Sequence, residues 1–284
     1  MFDTPMRYPG GKGRLAQYVI DIMKLNCLTG GDYAEPYAGG AGIAITLLYL
    51  EYASRIHLND LNRSVYAFWK SVCNEPDALC KMVRDKPLTI AQWKKQRAIQ
   101  ADKDASTLEL GFSTLYLNRT NRSGILTAGV IGGKDQSGDW KMDARFNRKD
   151  LIQRIEKIAS YAPRIKLYNM DAAKFLTGEL PKIPKQSLIY LDPPYYVKGS
   201  ELYENHYEKS DHAHIAELVG KIKQKWIVSY DNVRPIRRLY SQYEKESFGL
   251  RYSAQDRYAG KEVMIFCRGL VTPYSVQPWR GIAA

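Results

Sequence analysis

The run Leu188-Ile189-Tyr190-Leu191-Asp192-Pro193-Pro194-Tyr195-Tyr196 carries the most legible chemistry: an apolar stretch stops at a carboxylate, two prolines and two aromatic rings. Such a stretch reads as a buried strand that delivers Asp192 to its own C-terminal end. Each proline lacks a backbone N–H, fixes φ and pushes the residue before it out of the α region. The chain past Asp192 is therefore stiff, extended and unable to continue a ladder. A carboxylate, backbone carbonyls and an aromatic ring are left facing outward, a set suited to a planar amino group such as adenine N6. That amine carries two N–H donors and a lone pair spread into the ring. If the Asp192 carboxylate and the Pro193 carbonyl each accept one hydrogen, nitrogen is drawn toward a pyramidal shape and its lone pair turns to an electrophile. Tyr195 then covers a face of the base. Taken alone, the tetrad also fits a proline-stiffened loop whose Asp caps a turn.

Three further stretches could serve the same site. Arg7-Tyr8-Pro9-Gly10-Gly11-Lys12 precedes an amphipathic helical run with Leu15, Val19, Ile22 and Met23. Glycines at a helix start let amides approach an anion such as a carboxylate, and Lys12 adds charge; the spacing of a Walker loop is absent. Ala34-Glu35-Pro36-Tyr37-Ala38-Gly39-Gly40-Ala41-Gly42 reads as a strand, a glycine turn and the start of a helix, and the next strand ends in Asn59-Asp60. In doubly wound folds an acid at that place bonds ribose hydroxyls. After a later strand, Asp171 could meet the edge of an adenine ring.

The elements that must position these residues alternate as strand and helix at both ends of the chain and are interrupted in the middle. Segments 63–84, 89–101 and 107–119 read as helices, and 120–148 as a flexible, basic loop with Trp140 and Phe146 among its charges. Residues 62–150 hold 16 Lys and Arg against 10 Asp and Glu, half of the net charge of +12 on the 284-residue chain. A basic surface on a folded protein points to a polyanion, most simply nucleic acid. Beyond it lie a helix over 150–160, the strands before Asp171 and Asp192, a mobile flap over 197–210, a helix over 212–224 and a strand ending near Ser229-Tyr230-Asp231. Strands near 247–252 and 262–267 close a hairpin, and 271–284 forms a loose tail. The four cysteines and four histidines show no metal-ligand spacing, and no stretch suits a signal peptide or membrane span, so a cytoplasmic protein without a metal is expected.

These segments together resemble the Dam-type, D12 class DNA adenine-N6 methyltransferases with motifs in the alpha order. Arg7 to Lys12 is similar to the family's N-terminal motif, Ala34 to Gly42 to its methionine-binding loop, Asn59 to Asn62 to its ribose motif, and Asp192 to Tyr195 to its catalytic tetrad. The resemblance implies an α/β, Rossmann-like S-adenosylmethionine-dependent methyltransferase sheet over 1–61 and 151–270, with a mostly helical DNA-recognition insert over 62–150. It implies catalysis at Asp192, Pro193 and Tyr195, and a cofactor held by Tyr8, Lys12, Glu35, Pro36, Gly39, Gly40, Asp60, Asp171 and Asp192.

Duplex DNA would be met by Arg7, Asn118, Arg119, Asn121, Arg122, Lys134 and Arg145, with Arg119 and Arg122 sharing a helix face. Residues 118–124 depart from the best-known GATC readers, so the target sequence stays open. A monomer or weak dimer, bacterial or phage-encoded, fits this picture, with or without a cognate restriction nuclease. Transfer to cytosine N4, RNA or a glutamine side chain, and a non-enzymatic DNA-binding relative, remain as alternatives.

Overall fold

A computed structural model describes residues 4–7, 12–197, 207–251 and 259–273. A 3-10 turn at Lys12–Leu15 leads into α1 (Ala16–Leu25), followed by β1 (Asp32–Glu35), α2 (Gly42–Tyr49) and β2 (Arg55–Asn59). Five helices come next: α3 (Arg63–Asn74), α4 (Pro76–Asp85), α5 (Ile90–Ala101), α6 (Thr107–Thr120) and α7 (Arg148–Ala159). The chain then alternates through β3 (Ile165–Tyr168), α8 (Ala172–Lys174), β4 (Ser187–Leu191), α9 (Lys209–Val219), β5 (Lys225–Asp231) and α10 (Arg234–Leu239). It closes with β6 (Glu244–Arg251) and β7 (Ala259–Phe266).

The seven strands form one sheet in the order β3-β2-β1-β4-β5-β7-β6. β1 to β5 run parallel, β7 is antiparallel to β5, and β6 pairs with β7 as a hairpin. This is a Rossmann-like α/β fold, and its strand order reverses between β1 and β4. The crevice at such a switch point, outside the carboxyl ends of the strands, is where doubly wound sheets hold ligands. Every residue of β1 and β4 is buried, as expected of parallel strands covered on both faces.

One apolar cluster joins α1, α2 and one face of the sheet to α3, α4, α6 and α7; the other packs α8, α9 and α10 on the opposite face. Ten of the fourteen residues of α6 are buried, which makes it the central helix of its layer. Gly111 allows this, since a Cβ there would lie 2.7 Å from the Ala67 carbonyl of α3.

Several expected elements differ. The helix expected over 63–84 breaks at Glu75, where Pro76 starts α4 at the first helical position that proline tolerates. The loop over 120–148 is folded back on itself rather than loose. Gln136 donates to the Ile131 and Gly133 carbonyls and accepts from Met142 N, while Val130, Met142 and Phe146 are buried. The expected tail is tied down where it begins: Thr272 is buried and donates to Glu246 at 2.6 Å. Residues 198–206 and 274–284, with most of the flap and the tail, lie outside the described residues.

Candidate active site

β1 and β4 are neighbours with Ala34 opposite Ile189, so Glu35 at the end of β1 and Asp192 just past the end of β4 both come to the switch point. The Asp192 side chain is 24% exposed, whereas Pro193 and Tyr195 are buried. Its Oδ1 accepts from Ser229 Oγ at 2.6 Å, and Ser229 accepts in turn from the Tyr190 hydroxyl at 3.1 Å. Among the described residues no group bonds its Oδ2. Past the tetrad, Asp231 at the end of β5 accepts from the amides of Tyr196 and Val197, at 2.8 and 3.1 Å, and so fixes the chain that leaves the prolines.

Lys12 and Tyr195 both come to the site beside Asp192, each engaged by other protein groups. The Lys12 ammonium is buried, bonded to Glu262 and to the Tyr195 hydroxyl at 3.1 Å, and lies 3.5 Å from Asp192 Oδ1. Its charge is taken up mainly by Glu262, with Asp192 further off, where the sequence suggested a cation offered to an anionic ligand group. The Tyr195 hydroxyl donates to Glu262 Oε1 at 2.6 Å, so the ring is anchored at its far end rather than free to swing onto a base. Glu262 is 1% exposed, and burial pushes its carboxyl up while Lys12 pulls it down.

The glycine turn after β1 is pinned from three sides. Gly39 N donates to Asp60 Oδ2 at 2.9 Å, Trp69 of α3 donates to Gly39 O at 3.0 Å, and buried Asn59 donates to the carbonyls of Pro36 and Met170. Gly39 and Ala41 both take left-handed backbone, with φ of 46° at each, which turns the chain sharply into α2. The other Asp60 oxygen accepts from Asn62 N, which begins the cap of α3. Burial raises Asp60 to about 6, against the pull of those two amides. Glu35 accepts from Tyr33 OH and from Ala44 N at the start of α2, and burial raises it to about 8. Asp171 caps α8 through Ala173 N and Lys174 N. Pro36, Gly39, Gly40, Asp60 and Asp171 are thus brought together with Glu35 and Asp192, while Tyr8 lies outside the described residues.

The residues chosen for DNA divide into two sets. Asn118 and Asn121 are buried and face inward, which corrects their assignment. Asn118 clamps Arg7 by its N–H and C=O and also holds Gly124 O; Asn121 accepts from Trp93 and donates to the carbonyls of Ile125 and Leu126. Arg119 lies on α6 and donates to Pro5 O at 2.6 Å, whereas Arg122 follows the helix end in a separate turn, so the two share no helix face. Arg122, Lys134, Arg145 and Trp140 are exposed, but Phe146 packs on Tyr116 in the core.

Burial, aided by the nearby charges of Arg154, Arg7 and Arg145, lowers the Arg119 guanidinium to about 10. Arg7 is lowered too, by burial and by Arg145. An arginine cluster thus lines the seam between the N-terminal segment, α6 and α7. Sequence reading missed Arg154, Ser229 and Glu262 as parts of these arrangements. The one signal for Glu262 was an acid directly before the apolar run Val263-Met264-Ile265-Phe266 of a strand.

No curated protein matches the chain. Among solved structures it is similar to Escherichia coli yhhF, named as a methyltransferase, at 9% identity and a TM-score of 0.38, over 93% of this chain and 89% of that one. It is also similar to the rRNA methyltransferase aviRa of Streptomyces viridochromogenes at 12% identity and a TM-score of 0.40, over 91% and 86%. Likenesses this weak decide neither substrate nor mechanism. The sequence itself is more telling, because the D12 class N6 adenine-specific DNA methyltransferase family matches residues 8–254, from before Lys12 through the Asp192 tetrad into the last hairpin, and the chain belongs to that family.

Proposed function

We propose that the chain transfers a methyl group from S-adenosylmethionine to adenine N6 in a short duplex DNA site, with the target base turned out of the helix into the crevice at the ends of β1 and β4. The observation that carries this reading is the setting of Asp192. It ends a buried strand at the switch point, has one oxygen held by Ser229, and keeps the other unbonded among the described residues.

The residues around the crevice fit the cofactor. Asp60, Asp171 and Asp192 make an acid-rich rim beside buried Glu35 on a chain whose net charge is +12, and the buried cation there, Lys12, is already paired with Glu262. A ligand that brings its own positive charge suits such a rim. Glu35 to Gly40 would take the methionine part, Asp60 the ribose hydroxyls and Asp171 the adenine edge. When bound, S-adenosylmethionine supplies an electrophilic methyl group on a sulfonium.

The chain's own residues then have mainly to align the acceptor. Asp192 accepts one N6 hydrogen and the Pro193 carbonyl the other, which turns the nitrogen lone pair out of conjugation. Ser229 and Tyr190 hold the carboxylate in that pose. No proton need leave before transfer; the N6 proton passes to Asp192 and on to solvent afterwards. Turning a base out costs a few kcal/mol, which contacts to phosphates offset. Arg122, Lys134 and Arg145 of the 62–150 recognition region, with Trp140 among them, are the exposed groups placed for those contacts. A cytoplasmic monomer or weak dimer belongs to the same reading, with or without a partner nuclease.

The test is incubation with unmethylated duplex and S-adenosylmethionine labelled in the methyl group, followed by digestion to nucleosides. Label is expected in N6-methyladenine. Label in N4-methylcytosine, label only with RNA, or DNA binding without transfer would each replace this reading by the corresponding alternative.

A further inference from the structure

We propose that Glu262 is a positioning residue for methyl transfer: it draws the Lys12 ammonium away from Asp192 and fixes the Tyr195 ring. This rests on the reaction proposed above, and it concerns a residue beyond the span that the family match covers, 8–254.

Lys12 lies between two carboxylates of unequal exposure. The Glu262 side chain is 1% exposed and that of Asp192 is 24% exposed. A buried carboxylate left without a partner is costly, so the ammonium is held deep, on Glu262. Asp192 Oδ1 is left 3.5 Å from Nζ, outside the usual hydrogen-bond range, and takes its bond from Ser229 instead. The same Glu262 carboxylate accepts from Tyr195 OH at 2.6 Å, and that hydroxyl also accepts from Lys12 at 3.1 Å. Three side chains from β7, the first turn and the post-β4 segment thus lock one another around the acceptor. The pairing of Glu262 with Asp231, which secures the chain after Tyr195, joins β7 to the same assembly.

Glu262→Gln keeps the shape and one oxygen for Tyr195 but removes the charge that holds Lys12. The ammonium then closes on Asp192 and competes with the target amine. Turnover should fall on the order of 10–100-fold, since displacing a reacting group by about 1 Å can cost about 10²-fold. The dissociation constant for S-adenosylmethionine, read by calorimetry, should stay within about threefold, because the bonds of Glu262 to Lys12 and Tyr195 involve neither Asp60 nor Asp171, the residues assigned to the ribose and adenine.

Adding Lys12→Met removes the competitor, so the double variant should regain about fivefold or more over Glu262→Gln, the non-additivity of neighbours that share a partner. Melting of the ligand-free proteins should follow the same order, lowest for Glu262→Gln, whose Lys12 is buried without its main counter-ion. Turnover of Glu262→Gln within about twofold of wild type would overturn the proposal, and so would a double variant no better than the single one. A wild-type chain that moves no methyl group would overturn the reaction and this role together, while the melting order would still show whether Glu262 holds Lys12.

Discussion

Glu35 and Asp192 end adjacent strands at the switch point, and the charge of Asp192 adds to the burial that pushes Glu35 up to about 8. Glu35 therefore enters the folded state protonated at neutral pH, while in an unfolded chain it ionises near 4.5. A raised carboxyl stabilises the fold fully below the unfolded value, and that contribution is lost as pH climbs through the folded one.

Between pH 6.5 and 8 this makes Glu35 the main cause of a decline in stability. Asp60, raised to about 6, has finished titrating. His57 and His212, both lowered by burial, act on the acid side, where they destabilise the fold as pH falls below 6.5. The full effect of Glu35, from pH 4.5 to about 8, is on the order of 5 kcal/mol, of which about 2 kcal/mol falls between pH 6.5 and 8. Glu35→Gln keeps an oxygen for Tyr33 and Ala44 N, so its melting temperature should be flatter than wild type from pH 6.5 to 8.5 in the ligand-free protein. Parallel curves for the two proteins would show that Glu35 is ionised in the fold.

Asp192→Ala should abolish methyl transfer, by about 100-fold or more in single turnover, because it removes the acceptor that orients N6. Duplex binding should change little, since the exposed groups proposed to meet phosphates, Arg122, Lys134 and Arg145, lie on other elements. The fold should hold as well, since Lys12 keeps Glu262 as its partner. Transfer within a few-fold of wild type would move the chemistry elsewhere.

Asp60 supports the glycine turn as well as facing the crevice, and two substitutions separate these roles. Asp60→Asn keeps an acceptor for Gly39 N but turns its own N–H toward Asn62 N, so it should lower melting less than Asp60→Ala while weakening S-adenosylmethionine binding by roughly tenfold, through loss of a charge-assisted bond to ribose. Asp60→Ala also frees the amides of Gly39 and Asn62, and should lower the melting temperature further. Calorimetry on both variants decides, and an unchanged affinity for Asp60→Asn would leave Asp60 as a support of the turn alone.

The sheet and the Asp192 tetrad were legible because their signals are local. An apolar run ending in Asp-Pro-Pro can hardly be anything other than a strand end, and a glycine turn after Glu35 leads into a helix by backbone geometry alone. What was not legible depends on groups distant in sequence. Lys12 looked free because its partner is Glu262, 250 residues away, and β7 reaches the site only by running antiparallel beside β5. Asn118 and Asn121 looked like groove readers because an Asn near a basic loop carries no mark of which way it faces. Their burial follows from α6 being the central helix of its layer. Phe146 was misplaced for the same reason, since charge in the neighbouring sequence outweighed the packing it makes with Tyr116.

The 62–150 segment yields the sharpest contrast, because two arginines three residues apart now have different expected roles. Arg119 is largely enclosed and spends its Nε on Pro5 O, and Asn118 beside it clamps Arg7. Arg119→Ala or Asn118→Ala should therefore lower stability by about 1–3 kcal/mol and weaken activity on all sequences alike. Arg122 is exposed in the turn after α6 and Arg145 in the folded-back segment, so the proposed function assigns both to the duplex. If Arg122 bonds guanine O6 and N7, Arg122→Ala should relax the preference at one position of the site, with about 1–3 kcal/mol of discrimination lost there. Arg145, beside Arg7, adds charge rather than a pair of directed bonds. Arg145→Ala should weaken binding evenly across sequences and reduce the salt slope by about one unit. Methylation profiles on a randomised duplex library, with binding measured from low to moderate salt, separate these outcomes. An unaltered site preference and salt slope in both Arg122→Ala and Arg145→Ala would take the DNA off this face of the chain.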